Sequence, residues 1–304
     1  GHRTPNGLGF DLKGNLFVTD NQGDWVGSSK LFHVQQDRFY GHAASLAWKP
    51  GFNEVPVDSP VGKLAKLRTR ACVVFPHGTM ANSPTEVLAI SENAYFGPFT
   101  GQLLVGEMNK PRIVRVMLED VDGELQGACV PFIDGSPLGR GCNRMAWAPD
   151  GSLFVGQTKH TWAGGQGIQQ VSWNGKMPFE IQKMELTEDG FQFTFTQPVN
   201  RENAQKKETW PFFRYFFEYR KAYGSPRSAE EKVEVSNIHI SKNAKVVKIG
   251  LTELKPWHIH EVKVQELTSQ NGHRLNNNYI AYTLNRLLRN TPPDPLQIKK
   301  PKNN

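Results

Sequence analysis

Residues 6–20 read Asn-Gly-Leu-Gly-Phe-Asp-Leu-Lys-Gly-Asn-Leu-Phe-Val-Thr-Asp, and residues 143–157 return to the same pattern as Asn-Arg-Met-Ala-Trp-Ala-Pro-Asp-Gly-Ser-Leu-Phe-Val-Gly-Gln. The two copies align without a gap, Gly14 on Gly151. The later apolar runs Leu31-Phe32-His33-Val34 and Ile168-Gln169-Gln170-Val171 keep the same offset. A further copy lies between them, Gly101-Gln-Leu-Leu-Val-Gly-Glu107 followed by Ile113-Val-Arg-Val116. Each unit reads as a short apolar strand, a turn at Lys13-Gly14 or Asp150-Gly151, a second strand (residues 16–19 or 153–156), a polar loop and a third strand. Asp-Gly between apolar runs is a hairpin signal, expected with positive φ at both central positions. Antiparallel meanders repeating every 40 to 50 residues or so are the pattern of a β-propeller, each sheet burying its faces against the next. The long interval from Gly14 to Gly101 is expected to hold an insertion or a weakly written extra blade.

An antiparallel meander runs out and back, so the approach to its first strand and the exit from its second lie at one end. Applied to the three units, this places Arg3, Asn6, Asp20, Gln22, Asp24 and Trp25 beside Glu107, Asn109, Lys110 and Arg112. It adds Arg140, Asn143, Arg144, Gln157, Lys159, His160 and Trp162 from the last unit. The rim so formed carries guanidinium, amide and carboxylate groups suited to an anionic or quinoid ligand and to a hard cation such as calcium. The opposite rim, built by the glycine turns, is short and bland. A solvated set of loop residues is the plain alternative, and His160 as a lone loop histidine is more often incidental than catalytic.

After Trp173-Asn174-Gly175-Lys176 the pattern changes. Residues 180–184, 191–196, 232–240, 245–251, 258–264 and 279–284 alternate apolar and polar, as strands with one buried face do. The turn signals Glu188-Asp189-Gly190, Ser241-Lys242-Asn243, Leu254-Lys255-Pro256 and Asn271-Gly272 separate them. The expectation is an immunoglobulin-like or fibronectin-like β-sandwich over 177–290, after a partial β-propeller over 1–176. Residues 291–304, rich in Pro and Lys, read as a linker or frayed tail. The aromatic run between Trp210 and Tyr223 is expected to pack in the core, with stacking on sugars as the alternative. His258 and His260 share a strand face and are expected to be structural or surface residues.

The chain of 304 residues is long enough for two domains. It opens inside a repeat unit at Gly1, with no initiator Met, signal peptide or membrane-spanning run, and is expected to be a segment whose first blades precede Gly1. Three units are too few to close a ring of at least about four blades. The formal net charge of +7 is dispersed and matches no nucleic-acid module. Cys72, Cys129 and Cys142 form no Cys-x-x-Cys pair, which argues against a structural zinc or c-type haem site. A Cys129–Cys142 bridge in an exported protein and buried free thiols are equally compatible.

The motifs Arg3-Thr-Pro-Asn6-Gly-Leu-Gly-Phe, Gly14-Asn-Leu-Phe-Val-Thr-Asp20 with Gln22-Gly23-Asp24, Gly101 to Glu107, and Asn143 to Val155 together resemble the later blades of the glucose/sorbosone dehydrogenase family. Within that family they resemble the large membrane-associated dehydrogenase proteins of planctomycete-type bacteria. The resemblance covers residues 1 to about 175. It implies a six-bladed-type propeller and a periplasmic or otherwise extracytoplasmic quinoprotein. Such a protein oxidises a sugar or alcohol with pyrroloquinoline quinone (PQQ) and calcium, and passes electrons to a c-type haem domain or cytochrome. Carried onto this chain, it implies quinone contacts from Arg3, Asn6, Asn109, Lys110, Asn143 and Arg144, and calcium held at Gln22, Gly23 and Asp24. The family's catalytic base is a histidine of an early blade, upstream of this chain. The family's Lys aligns with Asn109, its paired Arg positions align with Gly141 and Asn143, and Thr4 stands where an amide is expected. Two alternatives remain: a non-catalytic carbohydrate- or protein-binding propeller, and a calcium-dependent lactonase-type propeller using Asp20, Asp24 and Glu107.

Overall fold

The computed structural model describes residues 1–161 and 163–294, so Trp162 and the end of the expected tail, 295–304, lie outside the described residues. The fold is all-β, built of antiparallel sheets, none of them closed. The first sheet orders β1 (Pro5–Phe10), β2 (Leu16–Asp20), β3 (Lys30–His33) and β4 (Val73–Val74). The second unit supplies β5 (Pro84–Ala89), β6 (Leu103–Glu107), β7 (Arg112–Val121) and β8 (Glu124–Asp134). The third sheet holds β9 (Cys142–Trp147), β10 (Leu153–His160) and β11 (Ala163–Val171).

The repeat seen in the sequence is a repeat of hairpin geometry. In the first copy Asp11 N donates to Asn15 O at 3.1 Å and Gly14 N to Asp11 O at 3.2 Å; in the last, Ala148 N donates to Ser152 O and Gly151 N to Ala148 O, both at 2.9 Å. Each loop is therefore three residues long. Only its final glycine is left-handed, φ +85° at Gly14 and +79° at Gly151. The expected two-residue turn with two positive φ values is corrected to the three-residue class, in which a glycine ends the turn.

The first strands of the three units pack on one another, β1 against β5 and β5 against β9. Contact between β1 and β5 is backbone to backbone. A Cβ on Gly7 would stand 2.0 Å from Thr85 O, and one on Gly9 2.0 Å from Val87 O, so the glycines of the opening motif set the spacing of the sheets. Phe17, Leu31, Val73 and Phe75 meet Val87, Val105 and Val114 between the first two sheets. Leu104 and Ile113 meet Cys142, Met145, Leu153 and Val155 between the second and third. Each such side chain contributes about 1.5–3 kcal/mol on leaving water. The long first interval holds an insertion with a short helix, α1 (Val61–Leu67), rather than a further sheet. Leu8 and Phe10, on the other face of β1, and Phe154 and Ile168, on the far side of the third sheet, are exposed, so the fan is open on both sides.

Eight more strands follow: β12 (Ile181–Leu186), β13 (Gly190–Phe195), β14 (Phe212–Phe217), β15 (Arg227–Val233), β16 (Val235–Ile240), β17 (Val246–Leu251), β18 (His258–Lys263) and β19 (Tyr279–Leu284). One sheet orders β12-β13-β17-β16; the others continue the second unit in a single sheet, β15-β14-β18-β19-β8-β7-β6-β5. The change of pattern at 176/177 is thus crossed by one continuous sheet, because β8 offers a long strand edge on which β19 pairs (Ala281 with Cys129, Thr283 with Gly127). Met117, Ala128 and Val130 of the second unit share one core with Phe191, Phe193, Trp210, Phe212 and Tyr282. Trp210, Phe212 and Tyr215 are buried, as packing predicts for the aromatic run. His258 and His260 are also buried, and all three cysteines are buried free thiols.

Candidate functional site

The three loop sets expected on one rim enclose a cavity of about 870 Å³. Arg3 and Thr4 reach it from before β1, Pro5 and Asn6 from its first residues, Asn21 and Gln22 from after β2, Asn82 and Ser83 from before β5, and Asn109 from after β6. Asn143 opens β9, and Lys159 and His160 close β10. Six amide residues line it (Asn6, Asn21, Gln22, Asn82, Asn109, Asn143), together with Arg3, Lys159, His77, His160 and Tyr223; of these amides, Gln22 Nε2 donates to Gly27 O at 3.1 Å and Asn82 Oδ1 accepts Gly78 N at 2.7 Å. Among the described residues no carboxylate lines it.

The carboxylates of the rim act from behind the wall. Fully buried Asp20 accepts Arg3 N at 2.9 Å and Thr4 N at 2.7 Å, fixing the segment that leads into β1. Glu107, 0% exposed, accepts Asn82 N, Ser83 N and Asn109 N, each at 2.9 Å, and Lys110 N at 3.3 Å. One side chain thus clamps the loops that carry Asn82 and Asn109 to the cavity. Burial raises the Glu107 carboxyl pKa against the four N–H donors that favour its anion. Asn21 donates Nδ2 to Ser83 Oγ at 3.2 Å, while its buried Oδ1 has no partner among the described residues.

Arg3 is aimed by three acceptors. Nε donates to Asp24 Oδ1 at 3.0 Å, and Nη1 donates to Thr4 Oγ1 at 3.0 Å and to Gln22 O at 3.2 Å, with no hydrogen bond from Nη2 to the described residues. The guanidinium carbon lies 5.2 Å from the centre of the Tyr223 ring. Although burial raises the Asp24 carboxyl pKa, hydrogen bonds from Arg3 and His42 hold it below the usual range. Burial, and then Lys110, lower the pKa of His77. Gly23 lies beneath Arg3, where a Cβ would come within 2.0 Å of Nε. Gly23→Ala is therefore expected to displace the guanidinium and weaken ligand binding at the cavity roughly as much as removing Arg3, with thermal stability little changed; parallel calorimetric titrations and melts check this.

Of the residues named from sequence, Arg3, Asn6, Gln22, Asn109, Asn143, Lys159 and His160 line the cavity. Lys110 does not, because its Nζ donates to Gly78 O. Arg144 turns back as well, Nη1 donating to Asn143 O at 2.7 Å and to Asn6 O at 3.3 Å, which ties β9 to β1. The trio named for calcium does not fit the ion. Gln22 O accepts Arg3, Gly23 O accepts Gly224 N at 2.9 Å and Val26 N at 3.1 Å, and Asp24 accepts Arg3 and His42 (3.0 and 3.3 Å). A divalent cation there would face the Arg3 guanidinium. Asp20, Asp24 and Glu107 likewise do not converge, and the described residues contain no cluster of three or more His, Cys, Asp or Glu that would hold a metal ion.

Asn21, His77, Asn82 and Ser83 carry no repeat signal that places them at the cavity, and Tyr223 belongs to the aromatic run expected to pack in the core, with sugar stacking as the alternative. Asn82 and Ser83 precede β5, whose Pro-Thr-Glu opening hides the repeat. Tyr223 ends the aromatic run and is 65% exposed, unlike the ring residues that begin it. Its exposure was the signal, and it is visible only in three dimensions.

No protein-family model matches the chain, and no curated protein is similar to it at a significant level. Among solved structures it is similar to a proposed oxidoreductase (glucose dehydrogenase) from Thermus thermophilus, with 21% identity, a TM-score of 0.33, and coverage of 52% of this chain and 39% of that one. It is also similar to the surface-layer protein SbsC, in two structures, each with 16% identity, a TM-score of 0.27, and coverage of 36% of this chain and 14% of the other. The chain thus spans less than half the length of each of these three solved structures. No helix in the described residues is long and apolar enough to cross a membrane.

Proposed function

We propose that the three N-terminal sheets are blades of a propeller-type fan, that an immunoglobulin-like sandwich is appended to them, and that the mouth of the fan binds a polyhydroxylated ligand carrying a carboxylate, an acidic sugar. One observation carries this reading: a cavity of about 870 Å³ lined by six amides and by cationic side chains, with no carboxylate of its own among the described residues. Amides both donate and accept and so match sugar hydroxyls. Arg3 and Lys159 supply the charge for a carboxylate. The unpartnered Asn21 Oδ1 is an acceptor for a hydroxyl, and the exposed Tyr223 ring is a flat surface for a sugar face. Calorimetry with a uronate-containing oligosaccharide and its neutral counterpart tests it. The uronate is expected to bind at one site at least about tenfold more tightly, and Arg3→Ala is expected to abolish the difference. Equal binding of both sugars would defeat the reading.

A second reading, a segment of a quinone-dependent sugar or alcohol dehydrogenase, is favoured by the meeting of Arg3, Asn6, Asn109 and Asn143 on one cavity. Arg3, Lys159 and the amides suit the carboxylates of PQQ, which when bound would supply the hydride acceptor. The calcium positions do not suit the ion, for the reasons above, so no catalytic step follows from them. Reduction of an artificial electron acceptor by the protein on addition of quinone and calcium would select this reading, and sugar binding without turnover would select the first.

A further inference from the structure

A second cavity, of about 730 Å³, lies on the other side of the molecule, between α1 with the strand β3 region and the β18–β19 end of the wide sheet. Arg38, Lys66, Arg68, Arg70 and Arg286 line it, against Asp122, Glu124 and Asp294. Two of those carboxylates are engaged. Asp294 takes Arg70 in a two-pronged bond, Nε to Oδ2 and Nη2 to Oδ1, both at 2.6 Å, and Glu124 takes Arg286 Nη2. Positive charge remains in excess. Arg68 lies over the Tyr219 ring at 4.6 Å, and no ion pair of Arg68 occurs among the described residues. Lys30 lines a smaller adjoining cavity together with Arg68 and Arg70. Burial, and then Arg68, lower the Lys30 pKa to about 7; burial, and then Arg70, lower that of Arg68 to about 9.

Three buried donors there have no partner among the described residues: Arg68 Nε, Arg286 Nε and the indole Nε1 of Trp257. Buried donors without acceptors are costly and rare. The Trp257 ring has the guanidinium carbons of Arg70 and Arg286 4.7 and 5.7 Å from its centre. Its backbone is left-handed at φ +68°, a conformation that a bulky residue keeps only when its surroundings demand it.

We propose that this cavity is a binding site for a compact multivalent oxyanion, a phosphate or a polycarboxylate, and that Asp294 is a tethered carboxylate that occupies part of it. The Arg70 fork already holds a carboxylate in the geometry such a ligand would use. The remaining guanidinium and indole donors lie around the same space and match the further oxygens that one aspartate lacks. Ligand and Asp294 compete for Arg70. The inference is independent of the ligand taken at the mouth.

The test titrates pyrophosphate and citrate separately, against sodium chloride of equal ionic strength, into the wild-type chain, Asp294→Ala and Arg68→Met, reading calorimetry and melting temperature. Asp294→Ala is expected to melt lower without anion, to bind one of the two anions at one site at least tenfold more tightly than wild type, and to regain its lost melting temperature when that anion is added. Arg68→Met is expected to bind at least tenfold more weakly than wild type. The tighter of the two anions identifies the ligand chemistry. If Asp294 is only a structural latch, its alanine variant melts lower and neither anion restores it beyond the salt control. That result, or equal affinity of Asp294→Ala and wild type, overturns the proposal.

Discussion

Arg115→Ala is expected to destabilise the fold by about 3–5 kcal/mol, the range for removing a buried hydrogen-bonded charge that other groups have been arranged around. Arg115 is 0% exposed and stands on β7. Its Nη1 donates to Gln102 Oε1 at 2.5 Å and to Gln182 O at 3.2 Å, and its Nη2 donates to Ile181 O at 2.6 Å. The guanidinium carbon lies 4.1 Å from the Phe99 ring centre and 5.4 Å from that of Phe132. Among the described residues no carboxylate hydrogen-bonds to it, and the buried Glu180 acts on it only through its field; carbonyls of β12 and two aromatic faces hold the charge, so it joins the second repeat unit to the strands that follow residue 180. Truncation would take this donor from the Ile181 carbonyl and from Gln102 Oε1, while Gln182 O keeps Gln102 Nε2 at 2.8 Å, and would leave a cavity between the rings. Urea unfolding should show a lower midpoint with an unchanged slope. Arg115→Met, which keeps most of the volume, should recover part of the loss. A cost below about 1 kcal/mol for the alanine variant, the size of a surface change, would mean that this joint does not hold the two parts together.

His260→Leu is expected to stabilise the protein by about 1–3 kcal/mol at neutral pH, the penalty for burying polar atoms without partners. His260 is 0% exposed, packs 5.6 Å from the Phe191 ring centre, and leaves both ring nitrogens without a partner among the described residues. Burial, followed by His258, lowers its pKa from 6.5 to about 3 in the folded state. Between those values the unfolded chain binds a proton that the folded chain refuses. Stability is therefore fully present above pH 6.5 and falls as pH drops toward 3, by about 1.4 kcal/mol per unit where the difference is complete. The leucine variant lacks this loss, so its advantage over wild type should widen between pH 7 and pH 5. Urea titrations at both values check it. A constant advantage would show that the histidine is protonated in the fold or hydrated where it lies.

How much of this was legible in the sequence depended on whether local pattern or tertiary pairing sets each element. The Gly14 and Gly151 hairpins were legible because a left-handed glycine between apolar runs is a local signal. The convergence of Arg3, Asn6, Asn109 and Asn143 on one cavity followed from the same meander geometry. The strand expected over 232–240 is interrupted at Glu234 into β15 and β16, which join different sheets, a switch that alternation alone cannot reveal. The pairing of β8 with β19 joins residues far apart in the chain, so the pattern change at 176 concealed a continuous sheet. Loop carbonyls at Gln22 and Gly23 looked available for a cation because sequence does not show that Arg3, Val26 and Gly224 take them. Tyr223 and Asn82 entered the cavity through loops that no repeat predicted.

The central claim is that three sheets turn their connecting loops toward one amide-lined mouth that takes an acidic sugar. A titration of ¹⁵N-labelled protein with a uronate oligosaccharide, following side-chain amide resonances, tests it most directly. The account predicts that Asn6, Asn82, Asn109 and Asn143, which belong to three different units but line one cavity, shift together along a single binding curve. Shifts absent from these four, or confined to one unit with the others unmoved at saturation, would contradict it.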